Sequence, residues 1–190
     1  MVTSFGFKEN ASDQCIYLKK NGSHFIILVL YVDDILLASS SVELLTKTEF
    51  ILNSHFDMKD LGDAFVVLGI QISHDRSRGI LGLSQRGYID KVLKRFNMHS
   101  CSSCAAPVQK GDKLSKSQCP QNDNDRVEMK KIPYASAVGS LMYAQVCTHP
   151  DIAFAINSLG RYLSDPGLDH WKDVKKVFRY LQGTKDHKNT

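Results

Sequence analysis

"FIILVLYVDDILLASS", residues 25–40, sets two adjacent carboxylates, Asp33 and Asp34, inside the most apolar stretch of the chain. Apolar runs that do not alternate, interrupted by one polar pair, are the pattern of buried strands joined by a tight β-turn. Upstream, "CIYLKK" and "HFIILVL" flank "NGS", where Asn21 and Gly22 can take positive φ, so residues 15–32 read as a hairpin. The strand "ILLAS" follows the acids directly.

Neighbouring carboxylates repel, and removing them from water is costly unless a positive charge shares the site. A hard divalent cation such as Mg²⁺ answers both problems, because it takes one or two carboxylates and completes its octahedron with water and substrate phosphates. A hairpin tip can aim both side chains at one point. Phosphoryl transfer needs that rigidity, since its two metals stand about 4 Å apart. Tyr31, just before the acids, offers a ring that could pack against a nucleotide. The plainer reading is an ordinary hairpin tip, for which Asp is a common choice.

After Ser40 the period changes. Ser40 and Glu43 fit a capping box, and Leu44, Leu45, Thr48, Ile51 and Leu52 recur at helical spacing, predicting a helix over 41–54. "AFVVLGIQI" and "GILGLS" read as a further strand pair, giving ββ, helix, ββ. Ser84 can then cap a helix over 85–97 with Tyr88, Ile89, Val92, Leu93 and Phe96 on one face and Lys91, Lys94 and Arg95 on another. Residues 99–131 are long, polar and poor in large apolar residues, so they read as a flexible linker.

Three helical patterns follow. The first, 134–146, is rich in Ala, Ser and Gly; the second opens at Thr148 and Pro150, with Ile152, Ala153, Ile156, Leu159 and Leu163 inward. The third starts near Pro166 and carries Trp171, Val174, Phe178 and Leu181 on one stripe, with Lys172, Lys175, Lys176 and Arg179 on another. Such a basic stripe suits a polyanion, although a solvated face gives the same pattern. Net charge is +4 over 190 residues, all of it in residues 96–190.

No apolar run reaches the roughly 18 residues of a membrane span, and the N-terminus lacks the basic and apolar segments of a signal peptide, so an intracellular protein (cytoplasm or nucleus), not secreted, is expected. The five cysteines are then expected as thiols. Cys101 and Cys104 form C-x-x-C without the second close pair of a zinc site, and no βαβ pattern surrounds them. Gly-rich phosphate loops, nucleophile elbows and HExxH are absent from the sequence.

"YVDD" between strands resembles the active-site hairpin of reverse transcriptases. "FGFKENASDQCIYL", "FDMKDLGDAFVVLGIQI", "LSQRGYIDKVLKRFNM", "PYASAVGSLMYA", "PDIAFAINSLGRYLSDPG" and "HWKDVKKVFRYLQGT" extend the likeness to the copia-type LTR retrotransposon Pol polyprotein, over residues 4–185. Two positions depart from it: His149 stands where relatives usually have Arg, and Gly160 where Ser is usual.

The resemblance implies an α+β fold: a partial polymerase palm, an antiparallel sheet with packed helices, followed by a small helical thumb or connection region. Its expected divisions are palm with following helix over 1–98, flexible linker over 99–131, and thumb or connection over 132–190. Asp33 would be the main metal ligand and Asp34 its supporting carboxylate, both catalytic, with Mg²⁺ as cofactor in the intact enzyme. Lys59 would lie near the incoming nucleotide. Tyr31, Lys91, Lys94, Arg95, Lys172, Lys175, Lys176 and Arg179 would contact an RNA/DNA template-primer. A third catalytic Asp belongs to a strand upstream in the family, so the chain is expected to be a polymerase fragment, inactive alone and poorly soluble through an unpaired sheet edge. It would be completed by other parts of the polyprotein or another copy. The alternative is a non-catalytic remnant that binds nucleic acid or a partner.

Overall fold

The computed structural model describes residues 2–108, 111 and 113–188, which form two compact units, 1–64 and 65–190. Among the described residues there are two antiparallel sheets and six α-helices. The mixed α and β content agrees with the expectation, but the strands expected on either side of the first helix fall in separate sheets.

In the first unit, β1 (Lys8–Glu9), β2 (Ile16–Asn21), β3 (His24–Tyr31) and β4 (Asp34–Ser39) make a meander in that order, followed by α1 (Val42–His55). Asn21 pairs with His24, so the first turn is Gly22–Ser23, and Gly22 takes φ +60°. Strand alternation sends Ile26 and Leu28 to one face of β3, where both are fully buried with Leu44 and Leu52 of α1 and with Phe7. The α1 N-cap is Ser41, which accepts from the Leu44 amide, not Ser40 as the capping box predicts. Ser40 is used elsewhere: its hydroxyl accepts from the Phe25 amide and helps close the β3–β4 ladder. β4 lies at the edge of its sheet.

In the second unit, β5 (Val66–Val67), β6 (Ile70–Asp75) and β7 (Ile80–Ser84) form a small meander. The run 64–72, read as one strand, is split by a turn at Leu68 and Gly69, with φ +53° and +77°. Five helices follow: α2 (Arg86–Arg95), α3 (Asp123–Lys130), α4 (Tyr134–Cys147), α5 (Ala153–Gly160) and α6 (Leu168–Thr184). Their apolar stripes meet in one core. Ile89 and Leu93 of α2, Leu141 of α4, Ile156 of α5 and Phe178 of α6 are all under 2% exposed. Phe96 stacks on Phe178 with ring centroids 5.1 Å apart. Leu163, expected inward, is 43% exposed because α5 ends at Gly160 and the helical phase is lost.

Residues 99–131, read as a linker, hold a 3₁₀ turn (Lys116–Gln118) and α3, whose N-cap Asn122 accepts from the Asp125 amide; residues 109, 110 and 112 of this stretch lie outside the described residues. Its ties to α6 include a hydrogen bond and a close backbone contact. The Arg179 side chain donates to the Ser102 carbonyl at 2.9 Å, and the chain at Gln118 presses on Gly167, where a Cβ would stand 1.8 Å from the Gln118 carbonyl oxygen. Only glycine fits there. No helix among the described residues is long and apolar enough to cross a membrane.

Two histidines are buried in this unit. The His149 Nδ1 meets the Thr148 hydroxyl, which donates to the Gln85 side chain, while the His170 Nδ1 accepts from the Gly167 amide and its ring stacks on Tyr162. Burial holds both imidazoles below their ordinary value near 6.5. A His that resists protonation only when folded contributes stability fully present above the unfolded value and lost as pH falls from there toward the folded one. The melting temperature of the unit is therefore expected to drop between about pH 7 and pH 5, and to drop less in a His149→Gln, His170→Gln double variant. Thermal melts followed through Trp171 fluorescence across that range check it.

Candidate functional site

The acidic pair sits where β3 hands over to β4. Tyr31 pairs directly with Asp34, which leaves Val32 and Asp33 as a two-residue connection. Such connections match the strand twist only when the first residue has positive φ, a role for Gly, Asn or Asp. Here Val32 fills it at φ +53°, with its side chain 88% exposed. A β-branched residue in the left-handed region is strained by about 1–2 kcal/mol. Val32→Asn is therefore expected to stabilise the first unit by about 1 kcal/mol. Chemical denaturation at an unchanged m-value measures it, and no gain would show the turn to be relaxed.

The sheet register fixes where Asp34 points. Directly paired residues share a face, so Asp34 lies beside Tyr31, on the face opposite Ile26 and Leu28. That face continues through Val29 and Leu36, then Ile27 with Leu18, then Phe25. Leu18, Phe25 and Tyr31 are 37%, 43% and 52% exposed, so this face carries apolar side chains open to contact. Both carboxylates are exposed, and neither has an ion pair or hydrogen bond from its side chain among the described residues.

Two uncommitted carboxylates on a stiff tip supply hard oxygen ligands of the type Mg²⁺ accepts, and the exposed setting leaves room for water and phosphate ligands. They fit such an ion as a two-ligand partial set. Among the described residues no three His, Cys, Asp or Glu side chains group together as a metal site.

Of the basic residues, Lys91, Lys94 and Arg95 are exposed on α2, with the Arg95 guanidinium 5.4 Å from the Phe96 ring centre. The α6 stripe has internal partners: Lys172 bonds Asp169 at 2.7 Å, Lys176 bonds Asp173 at 2.8 Å, Lys175 lies over the Trp171 ring, and Arg179 holds Ser102. The exposed Lys172–Asp169 pair, one turn apart, holds weakly and leaves Lys172 able to exchange partners at little cost, whereas the Lys176–Asp173 pair is half-buried. Lys59 is exposed in the segment after α1. The backbone strain at Val32 was missed by sequence reasoning. Its signal was the absence of Gly or Asn before the acids in so short a connection.

The sequence family described as "Reverse transcriptase (RNA-dependent DNA polymerase)" matches residues 1–110. The chain is 48% identical over 174 residues to the retrovirus-related Pol polyprotein from transposon TNT 1-94 of Nicotiana tabacum, covering 91% of this chain and 13% of that one. It is 36% identical over 189 residues to the corresponding polyprotein from transposon RE2 of Arabidopsis thaliana, covering 98% and 12%. An uncharacterised mitochondrial protein of Arabidopsis thaliana is 38% identical over 164 residues, covering 84% and 62%. These transposons are of the copia type. No solved structure matches.

Proposed function

From the premise that this chain belongs to the reverse transcriptase (RNA-dependent DNA polymerase) family, we propose that it serves as one segment of a larger retrotransposon polymerase. It spans about an eighth of the length of the Pol polyproteins it matches. The first unit and the second sheet would belong to the palm, and α4 to α6 to the thumb or connection region. Asp33 and Asp34 would hold Mg²⁺, which supplies charge neutralisation on the phosphates during nucleotide addition. What this chain's residues contribute is placement: the hairpin fixes the carboxylates, and the apolar face beside Tyr31 and Asp34 offers a surface on which a base or sugar could pack. Lys91, Lys94 and Arg95, with the α6 lysines, would bind template-primer backbone, and Lys59 the incoming nucleotide.

The observation that carries this reading is the pair of exposed carboxylates, without partners among the described residues, at a strained two-residue turn and the first strand residue after it, inside a family whose name is its chemistry. Strain held at an exposed tip is a common companion of function. Mn²⁺, a paramagnetic substitute for Mg²⁺, tests it in the chain by nuclear magnetic resonance. The amides of residues 32–35 are expected to broaden before those around Asp57, Asp60 and Asp63, and to lose that priority in an Asp33→Asn, Asp34→Asn variant. Equal broadening at all these acids would rule out a preferred metal position.

A further inference from the structure

The β2–β3 hairpin closes on an Asn-Gly step. Asn21 is the last residue of β2, is exposed, and pairs with His24 across a connection of Gly22 and Ser23 alone. Gly22 takes φ +60° and Ser23 lies outside the positive region, the pattern of a type II′ turn, which asks for glycine first. The Gly22 amide donates no hydrogen bond among the described residues, and no atom stands within 4 Å of where a Cβ would be. The Asn21 side chain likewise has no hydrogen-bond partner among them. A nucleophilic nitrogen and an amide carbonyl, neighbours in the chain, are therefore both left to solvent.

The other described asparagines differ in this respect. Asn10 and Asn122 spend Oδ1 on backbone amides two or three residues on. After Asn97 the next amide, that of Met98, donates to the Leu93 carbonyl, and after Asn124 the Asp125 amide donates to Asn122. Asn53 and Asn157 lie inside α1 and α5, where the following amide belongs to the helix ladder.

We propose that Asn21 is a self-modifying site: the Gly22 nitrogen closes on the Asn21 side-chain carbonyl carbon, and the ring opens to isoaspartate, which loosens the β2–β3 hairpin. The Gly22 amide gives up its proton, its nitrogen bonds to Cγ, and the Cγ–nitrogen bond of the side chain breaks to release ammonia. Water then opens the five-membered imide at either carbonyl, leaving aspartate or isoaspartate. Nothing is oxidised or reduced, and water alone is consumed. Glycine favours the step because no side chain obstructs the approach. In isoaspartate the backbone runs through the side-chain carbon and is longer by one atom. Loop length sets hairpin register, so the pairing of residue 21 with His24 is lost. Neither the acidic pair nor the polymerase reading enters into it.

The test is timed incubation of the full chain in mildly alkaline buffer, with peptide mapping by mass spectrometry and ion-exchange separation of the acidic product. Asn21 is expected to convert about tenfold faster than Asn10, the effect of an amide free of a bonded turn and of a glycine in place of Ala11. The rate should rise in proportion to hydroxide, since the attacking nitrogen must lose its proton. Gly22→Ala should slow conversion about tenfold. Asn21→Gln, which keeps an amide and leaves the Gly22–Ser23 turn in place, should abolish the acidic species. In the separated isoaspartyl chain, the amides of residues 18–27 should exchange with solvent about tenfold faster than in the parent. The proposal is overturned by conversion at Asn21 no faster than at Asn10, by a rate indifferent to hydroxide, by an acidic species that survives Asn21→Gln, or by unchanged exchange in the isoaspartyl hairpin.

Discussion

If the proposed role holds, Asp33→Asn, introduced into a full-length Pol protein containing this sequence, is expected to lower RNA-templated primer extension about a thousandfold or more while leaving the fold intact. The two halves of this expectation come from different observations. The Asp33 carboxylate is exposed and has no partner among the described residues, so neutralising it removes no contact that holds the chain together. Its proposed work is electrostatic and positional, and asparagine keeps the shape while giving up the charge. Asp34→Asn is expected to cost less, because Asp34 is assigned the supporting place. Binding of an RNA/DNA hybrid should persist in both variants, since the change removes a negative charge next to a polyanion. Primer extension on an RNA template, measured beside hybrid binding, separates the effects. Extension within tenfold of the parent for Asp33→Asn would leave the pair as a hairpin tip and nothing more.

The largest expected loss of stability is at Phe178. It is fully buried, belongs to the core shared by α2, α4, α5 and α6, and stacks on Phe96. Truncation to alanine removes the ring and leaves a void that helices on several sides cannot all close, at a cost of about 3–5 kcal/mol. Domain stability as a whole is about 5–15 kcal/mol, so this change alone brings the second unit near unfolding. A fall of roughly 10–20 °C in melting temperature follows for a unit of this size. Trp171, the single tryptophan, lies on α6 and reports it by fluorescence. A loss below about 1 kcal/mol would mean that the helices collapse to refill the space.

Elements whose signal is local were legible in the sequence. The β2–β3 hairpin, the Ala-rich α4 and the apolar stripe of α6 stand within a few residues of their expected bounds, because period and turn chemistry act over neighbours in the chain. Features that depend on competition for a partner were not. Ser40 satisfies a capping rule as well as Ser41 does, but its hydroxyl is drawn to Phe25 across the hairpin, fifteen residues away in sequence. Residues 99–131 look unstructured by composition, yet Met129 of α3 is buried in the core and Ser102 is held by Arg179. At the candidate site, the adjacent acids and their turn were readable from residue type alone. The face that Asp34 shares with Tyr31 required the register, and the strain required φ at Val32.

The strand order of the first unit bears on how the chain emerges from the ribosome. Every strand in β1 to β4 pairs with its sequence neighbour, and α1 follows at once, so each step of assembly uses residues already synthesised. The second unit works the other way: Lys185 near its end bonds Asp90 near its beginning, across 95 residues, and the Phe96 ring waits for Phe178. Translation therefore delivers a finished acidic ribbon while α2 still shows its oily side to solvent, and that interval, more than the completed molecule, is when chaperones have something to hold.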